Sequence, residues 1–239
     1  MKILDRSFET PEENLACDEA LLEAAEENTS GEVLRFWSPK NQFVVLGYSN
    51  KISEDVHAAS CQKNRVPILR RISGGGTVLQ GPGCLNYTLI LKISERPGLS
   101  SITSTNRWIM EKHSLALREL AGPSVQIRGF TDLALGELKF SGNAQRRKRQ
   151  FVLFHGTFLL DFDLSQIEKF LKLPPKQPDY RQNRPHLDFL KNLNIAPDKI
   201  QKALVQTWQA SGECEFTFQE KMKSLIEGGY SKRTWNFKF

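Results

Sequence analysis

Two arginines stand two residues before three consecutive glycines in the stretch "LRRISGGGTV", Leu69–Val78. Three glycines in a row cannot pack a core, and ordering them costs more backbone entropy than ordering any other residue type. What they offer is bare backbone, whose N–H groups can approach a ligand closely and converge on an anion. Arg70 and Arg71 add permanent charge and a forked donor geometry that fits phosphate or carboxylate. The spacing is not GxxxxGK[ST], and no helix pattern follows the glycines as GxGxxG would require. A flexible glycine hairpin between two strands is the other reading of the same residues.

Two later stretches have a related character. In "ELKFSGNAQRRKR" (Glu137–Arg149), Lys139 lies in a strand-like context and is followed by the small residues Ser141, Gly142 and Ala144. Small side chains beside an ammonium leave room for a ligand. The run Arg146–Arg149 reads as a solvated loop that could face acidic protein, phosphate or RNA. In "FHGTFLLDFDL" (Phe154–Leu164), His155 and Gly156 interrupt an apolar strand. No serine or cysteine near His155 in sequence makes a nucleophile–base motif with it.

The elements that must position these residues can be read from pattern. Thr10, Pro11 and Glu13 form a helix start with a capping box, and the helix should run to about Glu27. "EVLRFW" and "NQFVVLG" read as strands joined by a turn at Ser38–Lys40. Ser53 is a candidate cap for a helix reaching Gln62. "VPILRRI" is a strand leading into the glycines. "CLNYTLILKI" is another, with Leu85, Tyr87, Leu89 and Leu91 on one face. A helix is expected from Thr105 to Leu120, ended by Gly122-Pro123. "VQIRGF" and "ELKFSG" read as strands around a turn at Gly136. "FVLFHGTFLLDFDL" is a long strand region followed by a helix at Ser165–Leu171. Pro174–Pro185 is a surface loop, and helices are expected near Pro197–Ala210 and Thr217–Glu227. Strands in the middle flanked by helices predict an α+β domain: a mixed, mainly antiparallel sheet with helices packed on it.

Composition narrows the function classes. The chain has 239 residues and a net charge of +6, which favours an acidic partner or an anionic ligand. No apolar run is long enough to cross a bilayer, and the N-terminus lacks a signal-peptide pattern, so a cytoplasmic protein without a membrane partner is expected. The four cysteines, Cys17, Cys61, Cys84 and Cys214, are scattered without metal-ligand spacing and are expected to be reduced.

Taken together, "RRISGGGTVLQGPGCLNYTLIL", "TDLALGELKFSGNAQRR" and "LFHGTFLLDFDL", in that order, resemble the lipoate–protein ligase family, with "VVLGYSN" as a weaker fourth match. The resemblance covers roughly Leu4 to Leu193. It implies the catalytic-domain fold shared with biotin–protein ligase and the class II aminoacyl-tRNA synthetase core. It also implies a two-step reaction: lipoate and ATP give lipoyl-adenylate and pyrophosphate, then a lysine of an acidic lipoyl-carrier domain takes the acyl group and releases AMP. The carrier would be a dehydrogenase acyltransferase subunit or a glycine-cleavage H-type protein.

On this resemblance Lys139 bridges the carboxylate and the α-phosphate, and Arg70 contacts the carboxyl end. Gly75, Gly76 and Thr77 surround the phosphate and acyl carbonyl, and Gly47, Ser73, Gly74, Val78 and Asn86 complete that side of the binding site. Ser141, Gly142 and Ala144 flank the lysine. Thr131 and Asp132 fall near ribose and metal, so Asp132 is a candidate for Mg²⁺ or for orienting Lys139. His155 and Gly156 line the acyl slot.

The sequence departs from the family pattern at Gln80-Gly81, where His-Asp is usual, at Cys84 for an asparagine, and at Thr131 for another asparagine. Residues 1–239 are expected to form one catalytic domain, with 194–239 a short helical region rather than a large accessory domain. A separate accessory polypeptide then becomes a possible requirement. Two other readings stand beside the ligase. One is an octanoyl or lipoyl transferase acting on a pre-activated acyl group without ATP, with Cys84 as its thioester cysteine. The other is an RNA-binding protein using Arg146–Arg149 and the aromatic, basic tail around Trp235 and Phe237.

Overall fold

The computed structural model describes residues 1–239. In chain order the first half comprises β1 (Lys2–Asp5), α1 (Pro11–Glu26), β2 (Val33–Trp37), β3 (Phe43–Leu46), α2 (Ile52–Asp55), α3 (Ala58–Lys63), β4 (Ile68–Arg70), β5 (Val78–Gln80), β6 (Cys84–Lys92) and α4 (Ile102–Ala121). The second half comprises β7 (Val125–Arg128), β8 (Asp132–Leu135), β9 (Leu138–Arg147), β10 (Phe151–Leu159), α5 (Ser165–Phe170), α6 (His186–Phe189), α7 (Pro197–Thr207), α8 (Gln219–Leu225) and α9 (Arg233–Asn236).

A seven-stranded sheet has the order β1-β2-β6-β10-β9-β8-β7, and a three-stranded sheet has the order β4-β3-β5. Only β1–β2 and β3–β4 pair in parallel; every other ladder is antiparallel. The α+β expectation therefore holds.

The central strand β6 is buried along almost its whole length. Its alternation sends Leu85, Tyr87, Leu89 and Leu91 into one core, with Ile109, Met110 and Leu117 of α4 and Ile200 and Leu204 of α7. Ile90 points the other way, into a second core with Leu21 and Leu22 of α1 and Met222 of α8. Helices thus cover both faces, as two apolar faces require. The α1 capping box forms: Glu13 N–H donates to Thr10 Oγ1, and Glu13 Oε2 accepts from Thr10 N–H.

The expected turn between β2 and β3 carries the chain from one sheet to the other. Four local expectations are corrected. Ser53 caps nothing; two short helices replace the single one, broken at Val56, whose backbone is extended. Ser101 rather than a residue near Thr105 starts α4, through a capping box with Ser104. An additional strand, β8, lies between the two read around Gly136. Arg146 and Arg147 end a long strand instead of opening a solvated loop, and Arg147 donates to Thr105 Oγ1 and Leu99 O.

The core carries one titratable group that cannot charge. His113 of α4 is fully buried; its Nε2 accepts from Trp208 Nε1 at 2.9 Å, and Nδ1 has no partner. Burial lowers its pKa from 6.5 to about 3. The unfolded chain therefore binds a proton between these values that the folded chain refuses. Stability is fully present above about pH 6.5 and is lost as pH falls toward 3, with a limiting slope of about 1.4 kcal/mol per pH unit. His113→Gln keeps an acceptor for Trp208 but removes this titration. Its urea-unfolding stability should fall less steeply with acid across that window, and identical slopes in variant and wild type would refute the assignment.

Candidate active site

Strand register brings the separated motifs together. On β10, His155, Gly156 and Thr157 stand opposite Thr88, Tyr87 and Asn86 of β6 on one side and Ala144, Asn143 and Gly142 of β9 on the other. A Cβ on Gly75 would lie 3.4 Å from the Ala144 methyl, so the glycine loop touches the lysine-bearing strand. Gly75 has φ +86°, a conformation that suits glycine. Gly74, Gly75 and Gly76 are exposed, and Thr77 and Val78 are half-buried.

Lys139 lies beside this loop strand. Its ammonium is 2.7 Å from Asp132 Oδ1, with a quarter of the side chain exposed. Asp132 Oδ2 accepts from the Tyr180 hydroxyl at 2.8 Å. A register shift between Leu133 and Ala134 accompanies the approach of β8 to β9, and Lys139 stands opposite Ala134 there. Gly142 is glycine for a local reason: a Cβ there would come within 2.8 Å of Lys139 Nζ. The lysine chain lies over the space that the missing side chain leaves.

Asp132 holds the Lys139 ammonium in place. Both its oxygens are engaged, and no group of three or more His, Cys, Asp or Glu residues that could hold a metal ion exists in the chain. Mg²⁺ commonly takes one or two carboxylates together with substrate phosphates. The residues present fit an ion delivered with a nucleotide better than a resident one.

The expected role of Arg70 is overturned. Its side chain is fully buried and donates only to backbone carbonyls: Gly47, Tyr48 and Asn50 through Nη1, Trp235 through Nε, and Asn236 through Nη2. The side chain is sealed from solvent and every one of its hydrogen bonds runs to the protein's own backbone, so it does not meet a carboxylate. Arg71 is nearly as buried; it donates to Ser73 Oγ, Gly74 O and Gly76 O. Burial lowers both pKa values, Arg71 to about 10, which still leaves it charged at neutral pH. Neither forms an ion pair. Two cations without counter-ions therefore sit beneath the glycine loop in a low-dielectric interior. They raise the potential where an anion would bind without touching it.

Ser73 and His155 belong to a buried relay that sequence reasoning missed. Arg35 pairs with Asp18 Oδ1, Asp18 Oδ2 is 3.1 Å from His155 Nδ1, and His155 Nε2 is 2.6 Å from Ser73 Oγ. Burial alone would raise the Asp18 pKa, but Arg35 and His155 outweigh it and hold the carboxyl below its usual range. Arg71 Nε–H donates to Ser73 Oγ, which also shares a hydrogen bond with His155 Nε2. The order Ser–His–Asp suggests a nucleophile, yet Ser73 is fully buried and already accepts from Arg71. Its function is to hold the loop. The available signals were an aspartate inside the apolar stretch "LACDEALL" and an arginine inside "VLRFW".

The far wall is also hydrogen-bonded throughout. Tyr87 OH donates to Asn143 Oδ1, and Asn143 Nδ2 donates to Thr131 O, both at 2.6 Å. Thr131 Oγ1 returns a bond to Asn143 O. Asn86 exchanges amide bonds with Gln80 and accepts from Thr157. Thr77 Oγ1 donates to Asp55 Oδ2, Ser141 is buried, and Val78 packs on the core below β5. Arg146, exposed, is on the strand face of Gly142 and Ala144 by alternation, and its guanidinium lies 5.8 Å from the Tyr48 ring. A groove of about 700 Å³, lined by residues such as Val56, His57 and Lys172, shares no residue with this site.

This α+β domain packs an exposed glycine loop against Ala144 of the strand that also carries the oriented Lys139. Residues 10–209 match the lipoyl protein ligase A/B catalytic domain, and the chain belongs to that family. It is an enzyme of the family, ligase or acyl transferase.

It is 26% identical over 243 residues to lipoate-protein ligase A subunit 1 of Thermoplasma acidophilum, covering 93% of this chain and 90% of that protein. It is 24% identical over 270 residues to octanoyltransferase LipM of Carboxydothermus hydrogenoformans, covering 100% and 98%. With the protein named Probable lipoate-protein ligase A of Mycoplasma pneumoniae it shares 29% over 171 residues, 72% of this chain but only 49% of that protein. The chain thus spans about half the length of that relative.

Among solved structures, T. acidophilum lipoate protein ligase, a bi-partite enzyme determined with its E2 lipoyl domain, superposes with a TM-score of 0.82 at 22% identity, covering 99% and 95%. An ATP-bound lipoate-protein ligase A superposes at 0.81 and 23%, covering 99% and 98%. Those two likenesses are ones of fold. No helix is long and apolar enough to cross a membrane.

Gly156 gives a direct test of the wall. A Cβ there would fall 1.7 Å from Asn143 Oδ1 and 2.9 Å from Tyr87 Cε1. Gly156→Ala must therefore displace Asn143 and break its bonds to Tyr87 and Thr131. The expected cost is about 1–3 kcal/mol, seen as a melting temperature lower by roughly 2–4 °C per kcal/mol. An unchanged melting temperature would show that Asn143 is free to move.

Proposed function

We propose that the chain is an ATP-dependent, AMP-forming lipoate–protein ligase. The observation that carries this reading is that one strand, β9, bears both the Lys139 ammonium, oriented by Asp132, and Ala144, against which the glycine loop packs. The acid's carboxylate oxygen attacks the α-phosphorus of ATP, the bond to the β-phosphate oxygen breaks, and pyrophosphate leaves. Lys139 neutralises charge shared by the entering carboxylate and the α-phosphate and aligns them, while the Gly74–Gly76 backbone accepts the phosphate. In the second step the amine of a carrier-domain lysine attacks the acyl carbonyl, AMP departs, and the amine loses a proton to solvent. Mg²⁺ bound to the nucleotide supplies charge neutralisation.

The cysteines favour this reading over a thioester transferase. Cys84 is buried in an apolar cluster and its pKa is pushed up to about 12. Burial also pushes Cys17 to about 12 and Cys61 to about 11, and raises Cys214. The thiolate is the nucleophile, and at neutral pH none of these groups supplies it. The LipM likeness keeps the transferase as the second reading.

The RNA reading loses part of its support: Trp235 is folded against Arg70 and Arg147 is tied to Thr105, while Arg146, Arg149 and Phe237 stay exposed. An acidic lipoyl-carrier domain suits the net charge of +6. The bi-partite relative supports a requirement for an accessory polypeptide.

The test is to incubate the protein with lipoate, ATP, Mg²⁺ and a lipoyl domain and follow the mass of the domain. Octanoyl-carrier protein without ATP, and Cys84→Ala, separate the transferase. Lys139→Ala should lower modification by roughly 10²–10³-fold with the circular-dichroism spectrum retained. Near-normal modification by that variant would sink the mechanism.

A further inference from the structure

The C-terminal tail is folded into the support of the glycine loop, 165 residues after the strand that it grips. β4 is an edge strand of the small sheet, and α9 packs on it. There the tail substitutes side chains for a missing neighbour strand. Trp235 Nε1–H donates to Arg70 O, and Asn236 Oδ1 accepts from Arg70 N–H, each at 3.0 Å. The carbonyls of Trp235 and Asn236 accept from the Arg70 guanidinium at 3.2 and 3.1 Å. Asn236 is itself fixed by donating to Tyr230 O at 2.8 Å.

Arg70 carries this grip to the turn after β3, where Gly47 O, Tyr48 O and Asn50 O accept from its Nη1 at 2.8–2.9 Å. That turn is in contact with the glycine loop at three points. Tyr48 N–H donates to Ser73 O at 2.8 Å. Gly47 lies so close to Gly75 O that a Cβ would come within 2.1 Å of it. Asn50 Nδ2 and Thr77 Oγ1 share Asp55 Oδ2.

We propose that Trp235 and Asn236 are positioning residues for the anion loop, acting through Arg70. Neither touches substrate. Bare glycine backbone has no side chains with which to fix itself, so without external support its ordering entropy is spent when the ligand binds. The tail removes that cost beforehand. The inference rests on the ligase reading for its kinetic readout but not for its structural one.

The experiment compares wild type, a chain ending at Lys232, Asn236→Ala, and Trp235→Phe, which keeps the ring and loses the N–H. Amide hydrogen exchange should rise in residues 47–50 and 73–77 of the altered chains, while β6 and β10 keep their protection. In ATP–pyrophosphate exchange, KM for ATP should rise at least about tenfold with a smaller change in kcat, a split that general destabilisation does not give. A synthetic peptide of residues 231–239 should restore both readouts to the truncated chain. Unchanged exchange at those segments, or an unchanged KM with exchange increased, overturns the proposal. If wild type alone catalyses no pyrophosphate exchange, either it needs an accessory polypeptide or the ligase reading fails, and in both cases the hydrogen-exchange arm alone decides the tail's role. If the truncated chain does not fold, the two point variants decide by the same measurements.

Discussion

A loop made of bare backbone can grip an anion only if something other than the loop holds it in shape. Two buried arginines meet that need here. Arg71 lies within the loop's curve and donates to Ser73, Gly74 and Gly76, while Arg70 binds the turn packed against Gly75. Both are buried without a carboxylate partner. Charged groups so placed are costly unless fully hydrogen-bonded. The carbonyls that satisfy them therefore cannot move without a large penalty, and the loop inherits that rigidity.

The rest of the site is arranged around this fixed loop. The Arg35–Asp18–His155–Ser73 relay ties the loop to α1 and to β10, so helix, sheet and loop share one hydrogen-bonded line. On the other side, Lys139 is held by Asp132, and Asp132 by Tyr180. Lys139 is partly exposed, whereas the arginines are not. The buried cations hold the loop's shape, and Lys139 is the one a ligand can reach.

Much of the fold was legible because its elements follow strict periods. The alternation of Leu85, Tyr87, Leu89 and Leu91 named one core face of β6, and Thr10, Pro11 and Glu13 marked the start of α1. Short elements were less legible. β8 is only four residues long and has too little pattern to separate it from its neighbours. Nor can local sequence say that β2 and β3, adjacent strands joined by a turn, enter different sheets.

At the site, the sequence by itself determined the inventory: a lysine among small residues, three glycines, a histidine in an apolar strand, and the order in which they occur. Family membership is carried by that order. Only the tertiary structure decided what each group can reach. Arg70 and Arg71 are neighbours of the same type, and nothing in their order distinguishes an arginine that meets ligand from one sealed under the loop. The difference comes from Trp235 and Asn236, which close over Arg70 from the opposite end of the chain. The same holds for Asp18, whose partner His155 is 137 residues away. Contacts of that range are fixed by packing, and a linear pattern records them only as polar residues in apolar surroundings.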